Sequence, residues 1–151
     1  GQNVISVDRH DMGKNTNEIV KIESEPPYCT GTGKAILACL SDKHVRDLIG
    51  QNLEKYTSKT ITDLDQMIEE LDLIRSRGFA IDNEERQYGI KCVSVAIYHK
   101  SKVIGAISVT GAKERFSESR IIILADLVKD AAYFISQSLE TGIIPKWIRS
   151  H

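Results

Sequence analysis

The chain has 151 residues, 41% of them hydrophobic and 27% charged, and 20 Lys and Arg against 21 Asp and Glu leave a net charge of -1. A chain of this length buries roughly 70% of its unfolded surface, so one domain with its own core needs neither disulfide nor metal staples. The near-neutral balance argues against nucleic-acid binding by these residues, because duplex affinity comes mostly from Lys and Arg displacing counterions. No apolar run reaches the ~18 residues of a membrane span. The opening Gly1-Gln2-Asn3-Val4 has neither the basic nor the apolar region of a secretion signal. Cys29, Cys39 and Cys92 are odd in number and lack CxxC spacing, which fits a reducing cytoplasm. His10, His44, His99 and His151 stand singly, with no HxxxH or HExxH pair, so no metal site and no cofactor is expected.

In chain order, Val4-Ile5-Ser6-Val7 and Glu18-Ile19-Val20-Lys21-Ile22 are two strand candidates joined by a polar loop. Pro26-Pro27 and Gly31-Thr32-Gly33 make residues 24–33 an ordered connector into a helix that is apolar from Lys34 to Leu40. Val45, Leu48 and Ile49 carry a second short helix stopped by Gly50, and 51–61 is polar and irregular. Leu64, Met67, Ile68, Leu71 and Ile74 recur at helical spacing behind a Thr62-Asp63 cap, and Gly78 stops that helix after Arg75 and Arg77. Phe79-Ala80-Ile81 is a short strand, followed by the acidic connector Asp82-Asn83-Glu84-Glu85-Arg86. Val93-Val95-Ile97 and the run from Val103 to Val109 form a hairpin. Ser117 caps a long final helix that Gly142 stops, with an apolar side wide enough for core and a partner surface. The tail 143–151 is read as non-helical. The order β, β, α, α, α, β, β, β, α with hairpin-linked strands implies an α+β domain, a largely antiparallel sheet flanked by helices.

Three places could carry chemistry. Thr30-Gly31-Thr32-Gly33-Lys34 opens a helix, where backbone N–H groups and the dipole favour an anion, although an isolated GxG is more often only a tight turn. It is not a phosphate-binding GxxxxGK[ST] loop, because Gly31 and Gly33 are only two residues apart and Ala35 stands where Ser or Thr belongs. Asp82 could accept ligand hydroxyls or belong to a solvated turn, and Cys92 could face a ligand or be a small core residue. Ser108 and Thr110 place two hydroxyls on one strand face. A nucleophilic triad of Cys92, His99 and Asp82 is rejected: seven strand residues at about 3.3 Å separate Cys92 from His99 by roughly 23 Å.

The segments 30–38, 74–85, Tyr88-Gly89-Ile90-Lys91-Cys92-Val93 and Ala106-Ile107-Ser108-Val109-Thr110-Gly111 together resemble the effector-binding, C-terminal domain of IclR-type bacterial transcription regulators. The resemblance is ordered along about residues 4–140. Pro27-Tyr28-Cys29-Thr30 and Arg115-Phe116-Ser117-Glu118 look most like its KdgR-type branch, which responds to sugar acids. It implies a GAF-like (profilin-like) fold and a small-carboxylate effector, a sugar acid or keto acid. It also implies a cytoplasmic regulator, such as a repressor, assembled as a dimer or tetramer. DNA is then contacted only through an N-terminal winged helix-turn-helix outside these residues. The chain is accordingly read as an N-terminally truncated effector domain over 1–142 with a tail over 143–151. The pocket positions carried over are Gly31, Thr32, Asp82, Cys92, Ser108 and Thr110, with Gly33 completing the N–H cradle; no residue is read as catalytic.

The resemblance also exposes a departure. The family hairpin usually carries Asp-x-x-Gly, whereas Tyr98-His99-Lys100-Ser101-Lys102 has neither residue. Cys92 then shares a face with Ser108 and Thr110 only if the loop has an odd number of residues or a bulge restores register. A three-residue loop, 99–101, would set Cys92 opposite Ser108. Two other functions remain open at this point: a free-standing GAF-like thiol enzyme, and a ligand-free oligomerisation module.

Overall fold

A computed structural model describes residues 4–5 and 24–143. The strand expected over 18–22 and the tail from 144 onward lie outside the described residues. The elements are β1 (Val4–Ile5), β2 (Ser24–Glu25), α1 (Gly31–Leu37), α2 (Asp42–Ile49), α3 (Leu64–Arg77), β3 (Ala80–Asn83), β4 (Ile90–His99), β5 (Lys102–Ala112) and α4 (Glu118–Thr141). Short 3₁₀ turns over Pro27–Cys29 and Lys113–Arg115 lead into α1 and towards α4. β1 pairs antiparallel with β2, inside the stretch that the two prolines suggested was connector only.

The helices begin and end where side chains satisfy their free backbone groups. Thr30 Oγ1 accepts the Gly33 N–H at 3.2 Å and Asp63 Oδ1 accepts the Gln66 N–H at 2.9 Å. Gly78 closes α3 at φ 79° and Gly142 closes α4 at φ 67°, both in the left-handed region that glycine enters without a Cβ penalty. α1 starts three residues earlier than its apolar pattern suggested, because the Thr30 cap rather than hydrophobicity sets the start.

β3, β4 and β5 form one antiparallel sheet in that order. Of the two ways to bring Cys92 onto the face of Ser108 and Thr110, its hairpin takes the bulge rather than the odd loop. His99 pairs with Lys102 around a two-residue turn, Lys100 and Ser101, at φ 48° and 61°. That is the sign of φ that a type I′ turn needs at both central positions. The pairing then slips between Ile97 and Tyr98, which leaves Ile104 as an extra residue on β5. The bulge restores parity and sets Cys92 opposite Thr110, with Ser94 opposite Ser108.

Each sheet face packs its own layer. Val93, Phe116 and Ala125, with Phe79, Ile121 and Leu124, join one face to α4. On the other face Ala80, Cys92, Ser94, Ala96, Ala106 and Ser108 present small side chains, and α1 lies on them, with Ala35 and Leu37 in the main core beside Met67, Leu71 and Ile74 of α3.

Candidate functional site

Register places Asp82, Cys92 and Thr110 in one row across the three strands, because Asp82 pairs with Cys92 and Cys92 with Thr110. Ser94 and Ser108 form the next row on the same face. Residues two apart on a strand share a face, so all five side chains project toward α1. Gly31 begins that helix directly above them: a Cβ there would fall 2.5 Å from both Cys92 Sγ and Ser94 Oγ. Exposure rises along the rows towards β5. Asp82, Cys92 and Ser94 are buried, Ser108 is half-buried and Thr110 is exposed.

The N–H groups at the α1 start are mostly committed. Gly33 donates to Thr30 Oγ1, and its Cα rests on the Pro27 backbone, where a Cβ would lie 2.2 Å from the carbonyl oxygen. The Gly31 N–H acts on the Cys92 sulfur. Of the three residues offered as an N–H cradle, Gly31 and Gly33 are thus engaged within the chain, and Gly33 works as a close-packing glycine.

The acidic connector is not a solvated turn. Asp82 lies inside β3, and Asp82, Glu84 and Glu85 are each about 5% exposed. The polar segment that looked irregular over 51–61 holds this loop. Thr57 Oγ1 donates to the Glu84 carbonyl and Thr60 Oγ1 to the Glu85 carbonyl, both at 2.7 Å. Asp82 Oδ1 accepts the Glu85 N–H at 2.7 Å. Lys34, fully buried on α1, donates from Nζ to Glu85 Oε1 at 2.6 Å and to Glu70 Oε1 at 3.2 Å. Lys59 pairs with Glu84 on the loop's outer side.

Charge follows burial. Burial pushes the Asp82 carboxyl up to about 6, with backbone N–H groups and Lys34 opposing it and Glu85 adding to it. Burial likewise raises Glu85 against the pull of Lys34. Hydrogen bonds from Lys59 and the Gly89 N–H instead draw Glu84 down to about 2. The thiols move the other way from reactivity: burial takes Cys29 up to about 12 and raises Cys92 too, so neither holds a thiolate at neutral pH. His99 sits at the far end of β4 from Cys92, as the rejection of the triad requires.

Ser94, Lys34 and Glu85 were not singled out as site residues from the sequence. Ser94 had a signal, the period-two run of small residues Cys92, Ser94 and Ala96. The pairing of Lys34 with an acid 51 residues away had none.

Two surface clefts border this arrangement. One runs between α1, α3 and β4, lined by Ala35, Ile74, Phe79, Ser94, Ala96 and Tyr98, and the other lies beside Glu70, Arg77, Glu85, Lys91 and Glu118. Arg75 at the first is committed, with Nε on the Ala38 carbonyl and a terminal nitrogen on the Leu40 carbonyl, both at 2.9 Å. Neither cleft contains Asp82, Cys92, Ser108 or Thr110. Among the described residues no group of three or more His, Cys, Asp and Glu is arranged to hold a metal, and no helix is long and apolar enough to cross a membrane.

Comparison with known proteins agrees with this architecture. Residues 1–137 match the family described as "Bacterial transcriptional regulator IclR C-terminal". The HTH-type transcriptional repressor AllR of Escherichia coli K12 is 34% identical over 116 residues, covering 76% of this chain and 43% of the repressor. The Thermotoga maritima IclR structure superimposes with a TM-score of 0.79 at 32% identity, over 87% of this chain and 55% of that one. The C-terminal domain of the E. coli regulator KdgR gives 0.73 at 31%, over 78% and 73%. Identities this close together do not single out one branch. These relatives are transcriptional regulators rather than enzymes, and the chain spans about 43% of the length of the curated repressors it matches. The chain belongs to the IclR family of bacterial transcriptional regulators, as an effector-binding C-terminal domain.

Proposed function

We propose that this domain senses a small carboxylate, a sugar acid or keto acid, and that binding alters how the assembled regulator engages DNA through a part of the protein outside these residues. The observation that carries the reading is the row Asp82, Cys92 and Thr110, floored by Ser94 and Ser108 and closed by Gly31. The Ser108 and Thr110 hydroxyls, with the Thr32 N–H, hold the carboxylate. Asp82 lies at the inner end of the row and orders the ligand's keto or hydroxyl oxygen, while the Cys92 thiol gives a neutral wall. Each polar contact contributes about 1 kcal/mol net and micromolar binding needs about 8 kcal/mol, so several must act together.

The signal leaves through a second copy of the chain. Ile122, Ile123 and Leu127 on α4 are each 60% exposed, an apolar surface that a homo-oligomer would cover. Binding energy that differs between two arrangements of that oligomer shifts their populations, and this is the physical content of regulation here. Calorimetric titration with sugar acids and keto acids tests the site: Asp82→Ala and Ser108→Ala should each weaken binding about tenfold or more. Unchanged affinity in both overturns it.

A further inference from the structure

The proposed effector is an anion, yet the site already holds more negative than positive charge. Asp82 faces a second buried carboxylate, Glu85, from its own loop, whose N–H it accepts at 2.7 Å. From α1 comes Lys34, already shared between Glu85 Oε1 and Glu70 Oε1 of α3, and Glu70 also receives Arg77 at 3.1 Å. Arg86 supplies a backbone N–H to Asp82, but its guanidinium lies on Glu25 at 2.5 Å and over the Tyr56 ring. The turn before α1 contributes the Cys29 thiol, β4 the Cys92 thiol and β5 the uncharged Thr110. Glu84, the third buried acid of the loop, is matched by Lys59 and Lys113 on its outer side, so Asp82 and Glu85 against the one buried lysine leave a surplus of one negative charge before any ligand enters. A carboxylate on Ser108 and Thr110 lies within about two strand spacings, roughly 10 Å, of Asp82, and adds a second.

We propose that the site takes its acid together with one proton from solvent, received by Asp82, so that binding leaves the site's net charge unchanged. The proton goes to the Asp82 oxygen position that the backbone N–H groups of Glu85 and Arg86 leave open. The neutral carboxyl then donates a hydrogen bond to the effector's keto or hydroxyl oxygen. No bond other than the O–H forms in this step and none in the ligand breaks. This inference rests on the carboxylate reading given above. Burial already prepares Asp82 for it, because a carboxyl held at about 6 is protonated in about one molecule in ten at pH 7, and a nearby anion raises that share.

The test is titration of the 151-residue chain with pyruvate, lactate and gluconate, whose own carboxyls stay ionised above pH 6, followed by a pH series with the tightest of them. Affinity should fall close to tenfold per pH unit from pH 7 to 8.5 and level off below about pH 6. Calorimetry in phosphate and in Tris, whose ionisation enthalpies differ, should show about one proton taken up per acid bound at pH 7.5. Asp82→Asn keeps the Oδ1 acceptor and should bind with no pH slope. A flat wild-type profile with no proton uptake, or an Asp82→Asn variant that keeps the slope, overturns the inference and leaves the effector site standing. Binding of none of the acids by the folded chain overturns the effector site and this inference together. Should Asp82→Asn fail to fold, the proton count on the wild-type chain decides between one and none.

Discussion

Lys34 Nζ lies 2.6 Å from Glu85 Oε1 with the lysine fully buried, so the first helix of the effector fold is pinned to the acidic loop by a charge pair out of reach of water. Glu85 Oε2 has no hydrogen-bond partner among the described residues, and the loop's burial depends on Lys34 balancing the carboxylate. Breaking such a pair from one side is costly because the remaining charge stays buried. Lys34→Met should lose about 3–5 kcal/mol in urea unfolding. Adding Glu85→Gln should return a large part of it. A loss below about 1 kcal/mol would show that Glu85 finds another partner or leaves the interior.

Asp82 contributes to stability with the opposite sign from a salt-bridged acid. Its native carboxyl sits at about 6 against 3.8 for the free group, so between those values the native state binds more protons than the unfolded chain. Stability from this group is therefore full below about pH 4 and is lost as pH rises through 6, by about 3 kcal/mol at pH 7.5. Asp82→Asn should be more stable than the parent at pH 7.5, with the difference fading by pH 4. Parallel urea titrations at the two pH values measure it. A variant less stable at pH 7.5 would mean that the ionised carboxylate is the form the fold favours.

How far the sequence discloses this molecule depends on the distance over which each feature is encoded. α3 and α4 are legible because cap, apolar period and terminal glycine all lie within the element, from Asp63 to Gly78 and from Ser117 to Gly142. The shared face of Cys92, Ser108 and Thr110 follows from alternation once parity is known. Parity itself was hidden in Lys100 and Ser101, which take φ values that Asn and Gly usually signal, and in a bulge at Ile104 that no residue type announces. The buried acids were least legible. Asp82-Asn83-Glu84-Glu85 has the composition of a solvated turn, and what buries it is Thr57, Thr60 and Lys34, from 25 or more residues away.

Gly31 and Gly33 both approach their neighbours too closely for a Cβ, at 2.5 and 2.2 Å, but should differ in tolerance. An added Cβ at Gly31 meets the tips of Cys92 and Ser94, which can rotate, whereas at Gly33 it meets the backbone of Pro27, which cannot. Gly31→Ala should cost about 1–3 kcal/mol and lower effector affinity by lifting α1 from the sheet. Gly33→Ala should exceed that range. Ser94→Ala added to Gly31→Ala should recover part of the loss. Equal denaturation midpoints for the two single variants would contradict the packing given to Gly33.

The outward face of α4 gives the oligomer prediction its handle. Ile123 and Leu127 are one turn apart on the same side of the helix, each 60% exposed, while the buried contacts of α4 run through Ala125, Val128 and Ala132. Charge placed at 123 and 127 therefore reaches no core neighbour, and surface changes of this kind usually move stability by no more than about 0.5 kcal/mol. In a homo-oligomer the same charges would be driven into a desolvated interface and set like against like. Ile123→Glu with Leu127→Glu should thus keep the parent's urea midpoint while light scattering shows its mass falling to the 16.9 kDa of a single chain. A double variant that keeps the parent's oligomeric mass would place the interface elsewhere, and a parent that is itself monomeric at its highest soluble concentration would remove self-association from the signalling route.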